Sequence, residues 1–163
     1  MVVVSCLLAF AGCGDNEGSS GSSAAPPEGD VPTKQDDAAK NDNAAKGSTI
    51  TVGDSEFGTM LFDSKEQAIY IFENDPQGET VCYDECAEAW PPVFTQGEPK
   101  AGNGVQDALL GTVKRRDGRL QVTYADKPLY YYAHEEPGEV LCHNVNLNGG
   151  LWWVVGPDGE RRP

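Results

Sequence analysis

Three cysteines and one histidine are the residues in this chain best suited to chemistry. Cys82, Cys86, Cys142 and His143 together carry the donor atoms of a tetrahedral zinc site, and thiolate with imidazole also suits copper. However, three residues separate Cys82 from Cys86, and no second closely spaced pair of cysteines accompanies them. A metal or redox centre at these four residues is therefore the alternative interpretation, and we expect neither a metal nor another cofactor.

A disulfide is the competing use of these thiols, because proteins exported from the cytoplasm fold in oxidising surroundings. A bond between Cys82 and Cys86 closes a very short loop and stabilises the fold by about 2 kcal/mol, whereas a bond between Cys82 and Cys142 gives about 4 kcal/mol. Energy alone therefore favours the long loop. If Cys82 and Cys86 pair, we expect Cys142 to be a small buried hydrophobic residue.

The remaining composition points away from enzymes and nucleic-acid binders. The 163 residues contain no Gly-x-Ser-x-Gly motif, no phosphate-binding glycine loop, and two histidines that belong to no catalytic signature. Lys and Arg number 12 against 26 Asp and Glu, which gives a formal net charge of -14. Phosphate recognition needs a concentrated positive surface. We expect no enzymatic activity and no nucleic-acid partner.

The N-terminal segment predicts export and a lipid anchor. Residues 1–12 are almost wholly apolar and too few to span a bilayer, which is typical of a signal peptide. Ala11 and Gly12 directly precede Cys13, as in a lipobox, and this predicts that Cys13 carries the lipid. Cys6 is a weaker competitor. The lipid would hold the protein at the outer face of the cell membrane, making the membrane its first partner.

An internal repeat organises the rest of the chain. Residues 13–48 lack aromatic residues and predict a disordered acidic linker, so the domain is expected over residues 49–163. Within it a sixty-residue offset places Gly58 on Gly118 and Cys82 on Cys142 without a gap, and Met60 and Phe62 on Leu120 and Val122. We predict two copies of one unit, over about residues 50–100 and 110–163, and a monomeric protein.

Each copy reads as β structure, which predicts a mainly antiparallel β domain. Short apolar runs alternate with turn residues, and Asp117-Gly118 predicts a two-residue hairpin. Short helical pieces are expected over residues 83–90 and 105–110. The basic run Lys114-Arg115-Arg116 predicts a solvated edge that discourages strand addition.

The aromatic residues of the two copies follow strand spacing. Tyr70 and Phe72 share one strand face, as do Tyr130 and Tyr132. We expect aromatic core ladders, with the acidic residue three positions further on, Asp75 or Glu135, accepting backbone N–H bonds in the next turn. The sharper hypothesis is a ligand pocket of aromatic and carboxylate groups between the copies, for an unidentified envelope ligand or protein.

These residues resemble a known family. The resemblance rests on the spacing Tyr70-x-Phe72-x-x-Asp75, on Cys82-x-x-x-Cys86-Ala87-x-x-Trp90-Pro91-Pro92, and on the run from Thr123 to Tyr130. The chain is similar over nearly all of residues 49–163 to bacterial secreted-repeat lipoproteins with the motif Yx(F/W/Y)xxD. The resemblance implies a secreted or lipid-anchored envelope protein of unassigned activity, and it favours the pairing of Cys82 with Cys86. Glu135 departs from the motif by replacing its aspartate.

Overall fold

The computed structural model describes residues 47–163. The predictions for the signal peptide at residues 1–12, for Cys13 and for the linker up to residue 46 lie outside the described residues. Ser48, the last residue assigned to the linker, is bonded to the domain, since its Oγ donates to the Phe94 carbonyl at 2.6 Å. None of the helices among residues 47–163 has the length and apolar character to span a membrane.

The described region is built mainly of short β-strands, as predicted. In chain order its elements are β1 (Thr49–Ser55), β2 (Gly58–Asp63), β3 (Tyr70–Phe72), α1 (Glu85–Ala89), β4 (Phe94–Thr95), β5 (Lys100–Ala101), a 3-10 helix (Asp107–Leu109), β6 (Leu110–Lys114), β7 (Leu120–Tyr124), β8 (Lys127–Pro128), β9 (Val145–Leu147) and β10 (Gly150–Val154). The strands form three sheets, ordered β2-β1-β5, β3-β10-β9 and β4-β7-β6, with β8 paired to β7. Apart from β1 with β5, these strand pairs are antiparallel.

The two copies begin with equivalent hairpins, β1-β2 and β6-β7, whose registers differ by one residue. Ile50 pairs with Asp63, but Leu110 pairs with Tyr124, so the second strands are related by 61 residues rather than 60. The gapless match of Met60 and Phe62 onto Leu120 and Val122 is therefore wrong. The turn between β7 and β8 is one residue shorter than the equivalent turn of the first copy, so the offset returns to sixty residues from β8 onward. The predicted hairpin at Asp117-Gly118 exists, but its turn spans Arg115 to Gly118, and Gly118 takes the left-handed φ of 88°.

The end of each copy pairs with the other copy. Strand β10, from the second copy, lies beside β3 of the first, with Trp152 opposite Phe72. The equivalent segment of the first copy pairs with the second copy in the same way. The Tyr131 N–H donates to the Pro91 carbonyl at 2.8 Å, and β4 of the first copy pairs with β7 of the second. Each copy therefore supplies a strand to a sheet of the other copy. The two copies exchange strands and do not merely lie side by side.

A pseudo-twofold axis relates the copies and passes near two aromatic pairs. Tyr70 and Tyr130, sixty residues apart, donate backbone N–H bonds to each other's carbonyls, both at 2.9 Å. Trp90 and Trp152 stack with ring centroids 3.8 Å apart and planes 2° from parallel. Paired aromatic rings contribute about 0.5–1.5 kcal/mol beyond the burial of their area. The exchange therefore places the largest core side chains at the junction of the copies.

The core consists of two clusters on opposite faces of β3 and its counterpart. Tyr70, Phe72, Tyr130 and Tyr132 all lie in one cluster, which confirms that each aromatic pair shares a face. The alternate residues Ile69, Ile71 and Leu129 lie in the other cluster. Because both faces are buried, these short segments carry apolar residues at every position from Ile69 to Phe72.

The copies diverge after their equivalent cysteines. Between Cys82 and Trp90 the chain forms α1, close to the helix predicted over residues 83–90. Between Cys142 and Trp152 it forms β9 and turns back into β10. The second predicted helical piece, over residues 105–110, is the short 3-10 helix.

Candidate functional site

The motif tyrosines form hydrogen bonds to the motif carboxylates of the opposite copy. The Tyr130 hydroxyl donates to Asp75 Oδ2 at 2.6 Å, and the Tyr70 hydroxyl donates to Glu135 Oε1 at 2.5 Å. We call these the Tyr130–Asp75 pair and the Tyr70–Glu135 pair. They are related by the pseudo-twofold axis, so the motif joins the two copies. A bond from a hydroxyl to an ionised carboxylate is among the stronger hydrogen bonds in proteins.

Each motif carboxylate also fixes the loop that follows it, as expected for an acidic residue in a turn. Asp75 Oδ1 accepts from the Val81 N–H at 2.8 Å, and Glu135 Oε1 accepts from the Leu141 N–H at 2.5 Å. Within the same loops Gly78 and Gly138 donate to the carbonyls of Asp126 and Glu66, again across the copies. Replacement of Asp by Glu at position 135 therefore preserves the role of the carboxylate.

The surroundings of the Tyr130–Asp75 pair are polar and charged. Thr80 Oγ1 lies 2.6 Å from the Tyr130 hydroxyl, and it accepts from Arg115 Nη1 at 3.2 Å. Because the tyrosine proton goes to Asp75, the threonine hydroxyl donates to the tyrosine oxygen. The result is a one-way chain of donors that runs from the Arg115 guanidinium to the Asp75 carboxylate.

The positions equivalent to Thr80 and Gln121 are apolar around the Tyr70–Glu135 pair. By the copy offsets, Val140 corresponds to Thr80 and Met60 to Gln121, and both pack in the first core cluster. Glu135 is 7% exposed, and its Oε2 atom has no hydrogen-bond partner among the described residues. The two pseudo-equivalent sites therefore differ, since one contains the hydrogen-bonded guanidinium of Arg115 and the other holds a buried carboxylate oxygen without a donor among the described residues.

Burial shifts the titration of both pairs. Desolvation raises the pKa of the Asp75 carboxyl, and the bonds from Tyr130 and the Val81 N–H and the nearby Arg115 charge act in the opposite direction. Desolvation likewise raises the pKa of Glu135 against the bonds from Tyr70 and the Leu141 N–H. The pKa values of Tyr70 and Tyr130 are raised far above the usual range, first by burial and then by the adjacent carboxylate.

Arg115 is buried, so the predicted solvated edge is wrong at this residue. It is 3% exposed and donates to Gln121 Oε1 and to the Cys82 carbonyl, both at 2.6 Å. Its guanidinium also lies 4.3 Å from the ring centroid of Tyr83. A local signal was present in the sequence, because Arg115 is two residues beyond Val113 and continues the same strand face. Thr80 and Gln121, which complete the network, carry no comparable signal.

The cysteines follow the pairing that the family resemblance favours. Cys82 and Cys86 are joined in a disulfide, and Cys142 is buried in the first core cluster. The bond between Cys82 and Cys142, which closes the longer loop and which chain entropy alone favours, is not formed. Two of the four ligands in the metal hypothesis are consumed by this bond, and no group of three or more His, Cys, Asp and Glu side chains within residues 47–163 is arranged to hold a metal ion.

His143, the nitrogen donor of the metal hypothesis, is engaged elsewhere. Its Nε2 lies 3.2 Å from the Pro163 carbonyl, and its ring packs 4.3 Å from the Phe57 ring centroid. Partial burial lowers the pKa of this imidazole, against the effect of the Pro163 contact. His143 thus packs against the end of the chain.

A cavity of about 330 Å³ lies beside Glu135. Its walls include Asp63, Lys65, Pro91, Tyr132 and Glu135. Asp63 is 6% exposed and accepts backbone N–H bonds from Lys65 at 2.8 Å and Gln67 at 3.0 Å. The cavity is near the lower limit of small-molecule sites, which occupy roughly 300–1,000 Å³. Aromatic and carboxylate groups of both copies line this cavity, but of the six motif residues only Tyr132 and Glu135 are among them.

This arrangement defines a class of protein: a duplicated β domain whose copies exchange strands and are joined by reciprocal tyrosine–carboxylate bonds. The sequence pattern of one family, described as a secreted repeat of unknown function, matches the chain twice, over residues 51–94 and 111–156. The chain belongs to this family of secreted repeats. Each match covers one copy, from its first hairpin to the segment exchanged with the other copy. No curated protein and no solved structure matches the chain.

Proposed function

We propose that this protein is an exported lipoprotein, anchored through Cys13, whose β domain is a non-enzymatic binding or structural module at the outer face of the cell membrane. The observation that carries the proposal is the use of the motif residues. Tyr70, Tyr130 and Asp75 use their polar groups in bonds between the copies and to the following loop, and Glu135 uses its Oε1 atom in the same way. These bonds stabilise a rigid scaffold and leave neither tyrosine nor Asp75 as a free nucleophile or base.

Three further features support a module that works outside the cytoplasm. The family is one of secreted repeats. The disulfide between Cys82 and Cys86 suits an oxidising compartment. The net charge of -14 favours a protein that stays dispersed and avoids nucleic acid. We propose that it acts as a monomer, with the membrane as its first partner through the lipid.

Anchoring is tested by detergent-phase partitioning of the protein produced in bacteria. We expect the wild type and Cys6→Ala to enter the detergent phase and Cys13→Ala to remain in the aqueous phase. Cys6→Ala is the matched control because Cys6 lies in the same apolar segment and is the weaker lipid acceptor. Partitioning that survives Cys13→Ala refutes lipidation at this position.

The redox or metal alternative at Cys82, Cys86, Cys142 and His143 is separated by thiol counting and metal analysis. Mass spectrometry after alkylation is performed on protein purified under oxidising and under reducing conditions. We expect the Cys82–Cys86 bond in the oxidised protein and no stoichiometric metal in either sample. Three reduced thiols with one bound metal ion would overturn the proposal.

A further inference from the structure

Each motif carboxylate holds the loop that follows it through one backbone N–H. In the first motif loop, residues 75–81, the donor is Val81 at 2.8 Å, and in the second motif loop, residues 135–141, it is Leu141 at 2.5 Å. A glycine in the middle of each loop also donates its N–H across the copies, at 2.7 Å in the first and 2.9 Å in the second. The two loops can therefore be compared within one molecule, and they differ chiefly in the surroundings of the carboxylate.

The carboxylate of the first motif loop is bonded at both oxygens and has a cation nearby. Asp75 accepts from Tyr130 at Oδ2 and from the Val81 N–H at Oδ1. Tyr130 and Thr80 link it to the buried guanidinium of Arg115, whose positive charge favours the ionised form of the carboxyl group. The closed first motif loop thus accommodates an ionised carboxylate with partners for both oxygens.

The carboxylate of the second motif loop lacks this compensation. The Tyr70 hydroxyl and the Leu141 N–H both donate to Oε1 of Glu135. The Oε2 atom is buried and has no hydrogen-bond partner within the described part of the chain. Ser55 stands at the position equivalent to Arg115, and its hydroxyl donates to a backbone carbonyl of its own hairpin turn at 2.8 Å. Ionisation of the buried carboxyl group therefore disfavours the closed loop.

The groups around Glu135 do not reverse this effect. The other titratable side chains come from the end of β2, from the core and from the neighbouring chain: Asp63, Lys65, Tyr70, His134, Glu136, Glu139 and Cys142. Burial raises the pKa of Glu135, and the negative charge of Glu139 raises it further. The bonds from Tyr70 and from the Leu141 and Cys142 N–H groups act in the opposite direction.

We propose that the second motif loop is a pH-sensitive switch, which opens in the folded protein at neutral pH more often than the first motif loop and closes on acidification. The inference goes beyond the proposed function of the domain and does not depend on it. Proton uptake by Glu135 removes the buried charge and so favours the closed loop. Opening frees the Tyr70 hydroxyl and the Leu141 N–H for other partners.

The direction of the pH dependence follows from linkage. In the closed loop the pKa of Glu135 is raised above the usual value of about 4.3, whereas in the open loop the carboxyl group is solvated. The stability that protonation gives to the closed loop is therefore complete below about pH 4.3. It is lost as the pH rises through the raised pKa.

The test is hydrogen exchange of the full chain, labelled with ¹⁵N and followed by NMR at a series of pH values. The Leu141 and Val81 amides report on the two loops, since each donates to the carboxylate of its own loop. Protection factors remove the intrinsic pH dependence of exchange. At about pH 7.5 we expect Leu141 to be protected at least about 10-fold less than Val81, a difference near 1.4 kcal/mol. Between about pH 7.5 and about pH 4.5, the protection of Leu141 should rise at least about threefold more than that of Val81.

Two variants assign the effect to one carboxyl group. Glu135→Gln removes the titrating group, leaves His134 and the neighbouring carboxylates in place, and should abolish the additional pH dependence at Leu141. Asp75→Asn is the matched control and should preserve it. Persistence of the dependence in Glu135→Gln, its loss in Asp75→Asn, or equal protection of the two wild-type amides at neutral pH would overturn the inference.

A carboxyl titration of the wild type by ¹³C NMR keeps the inference testable if a variant fails to fold. Glu135 should titrate above the usual glutamate value of about 4.3. A midpoint at or below that value would overturn the inference. Lipid anchoring at Cys13 and the Cys82–Cys86 bond do not depend on this titration, so its failure would leave the proposed function standing.

Discussion

The reciprocal tyrosine–carboxylate bonds lead to a prediction about which residues are energetically coupled. The perturbation is a double-mutant cycle with Tyr70→Phe and Glu135→Gln, and a second cycle with Tyr70→Phe and Asp75→Asn. The first cycle joins residues of different copies that share a bond of 2.5 Å. The second joins two residues of the same copy and motif, whose hydrogen-bond partners lie in opposite pairs.

The magnitude follows from the kind of bond that is removed. A hydrogen bond to a charged group contributes about 1.5–3 kcal/mol to stability. Tyr70→Phe should therefore lower the free energy of unfolding by about 2 kcal/mol at neutral pH, with little change in packing, since only the hydroxyl is lost. Coupling between Tyr70 and Glu135 should reach about 1.5 kcal/mol or more, whereas coupling between Tyr70 and Asp75 should stay below about 0.5 kcal/mol.

The assay is equilibrium denaturation by urea, followed by tryptophan fluorescence, on the full chain, the five variants of these two cycles and the two further variants of a mirror-image cycle. Trp90 and Trp152 stack at the junction of the copies and report directly on its integrity. The mirror-image cycle, Tyr130→Phe with Asp75→Asn, supplies the matched control and should couple as strongly as the first. Strong coupling of Tyr70 with Asp75, and none with Glu135, would refute the exchange of partners between copies.

Two more predictions concern buried polar groups. Burial raises the pKa of Tyr70, Tyr130 and Tyr131, and the adjacent carboxylate raises each of these pKa values further. In an alkaline absorbance titration, at least three of the six tyrosines should therefore ionise only when the protein unfolds. The pKa values of these tyrosines in the folded protein exceed the value near 10 of an unfolded chain. The stability that the tyrosines contribute is therefore complete below about pH 10 and is lost as the pH rises above it. Ionisation of all six tyrosines in the folded protein would contradict this prediction. Arg115→Met should destabilise the domain by about 3 kcal/mol, because it leaves Gln121 Oε1 and the Cys82 carbonyl without their donor, whereas Arg116→Met should cost below about 1 kcal/mol because its partner Asp84 is exposed. Thermal denaturation of the two variants in parallel provides the check, and equal stability would mean that the buried guanidinium contributes nothing.

The sequence predicted the local structure of this domain better than its pairing. Strand spacing placed Tyr70 with Phe72 and Tyr130 with Tyr132 correctly, because alternation along a strand is a property of that strand alone. Strand exchange has no such local signal. Two copies with the same apolar pattern present equivalent edges, so nothing in the pattern decides whether Trp152 lies beside Phe72 or beside Tyr132.

The errors also have physical causes. The gapless match failed at β7 because the hairpin before this strand has one extra residue and the turn after it is one residue shorter. The two changes cancel, so the offset is sixty residues on either side of β7 and the sequence shows no gap. Arg115 was placed in solvent because it lies between Lys114 and Arg116, although strand alternation buries it. Chain entropy preferred Cys82 with Cys142, but the turn of α1 brings Cys86 back to Cys82 within the same copy.

The exchange of strands is tested most directly by cutting the chain between Gly104 and Val105, outside every strand. The fragments of residues 1–104 and 105–163 each carry one copy, including β1 with β5 in the first and β6 with β7 in the second. We predict that neither fragment alone gives a dispersed ¹H–¹⁵N NMR spectrum, because β3 and β7 each lack a neighbouring strand, and that mixing them restores the spectrum of the intact chain. A native-like dispersed spectrum from either fragment alone would contradict the account.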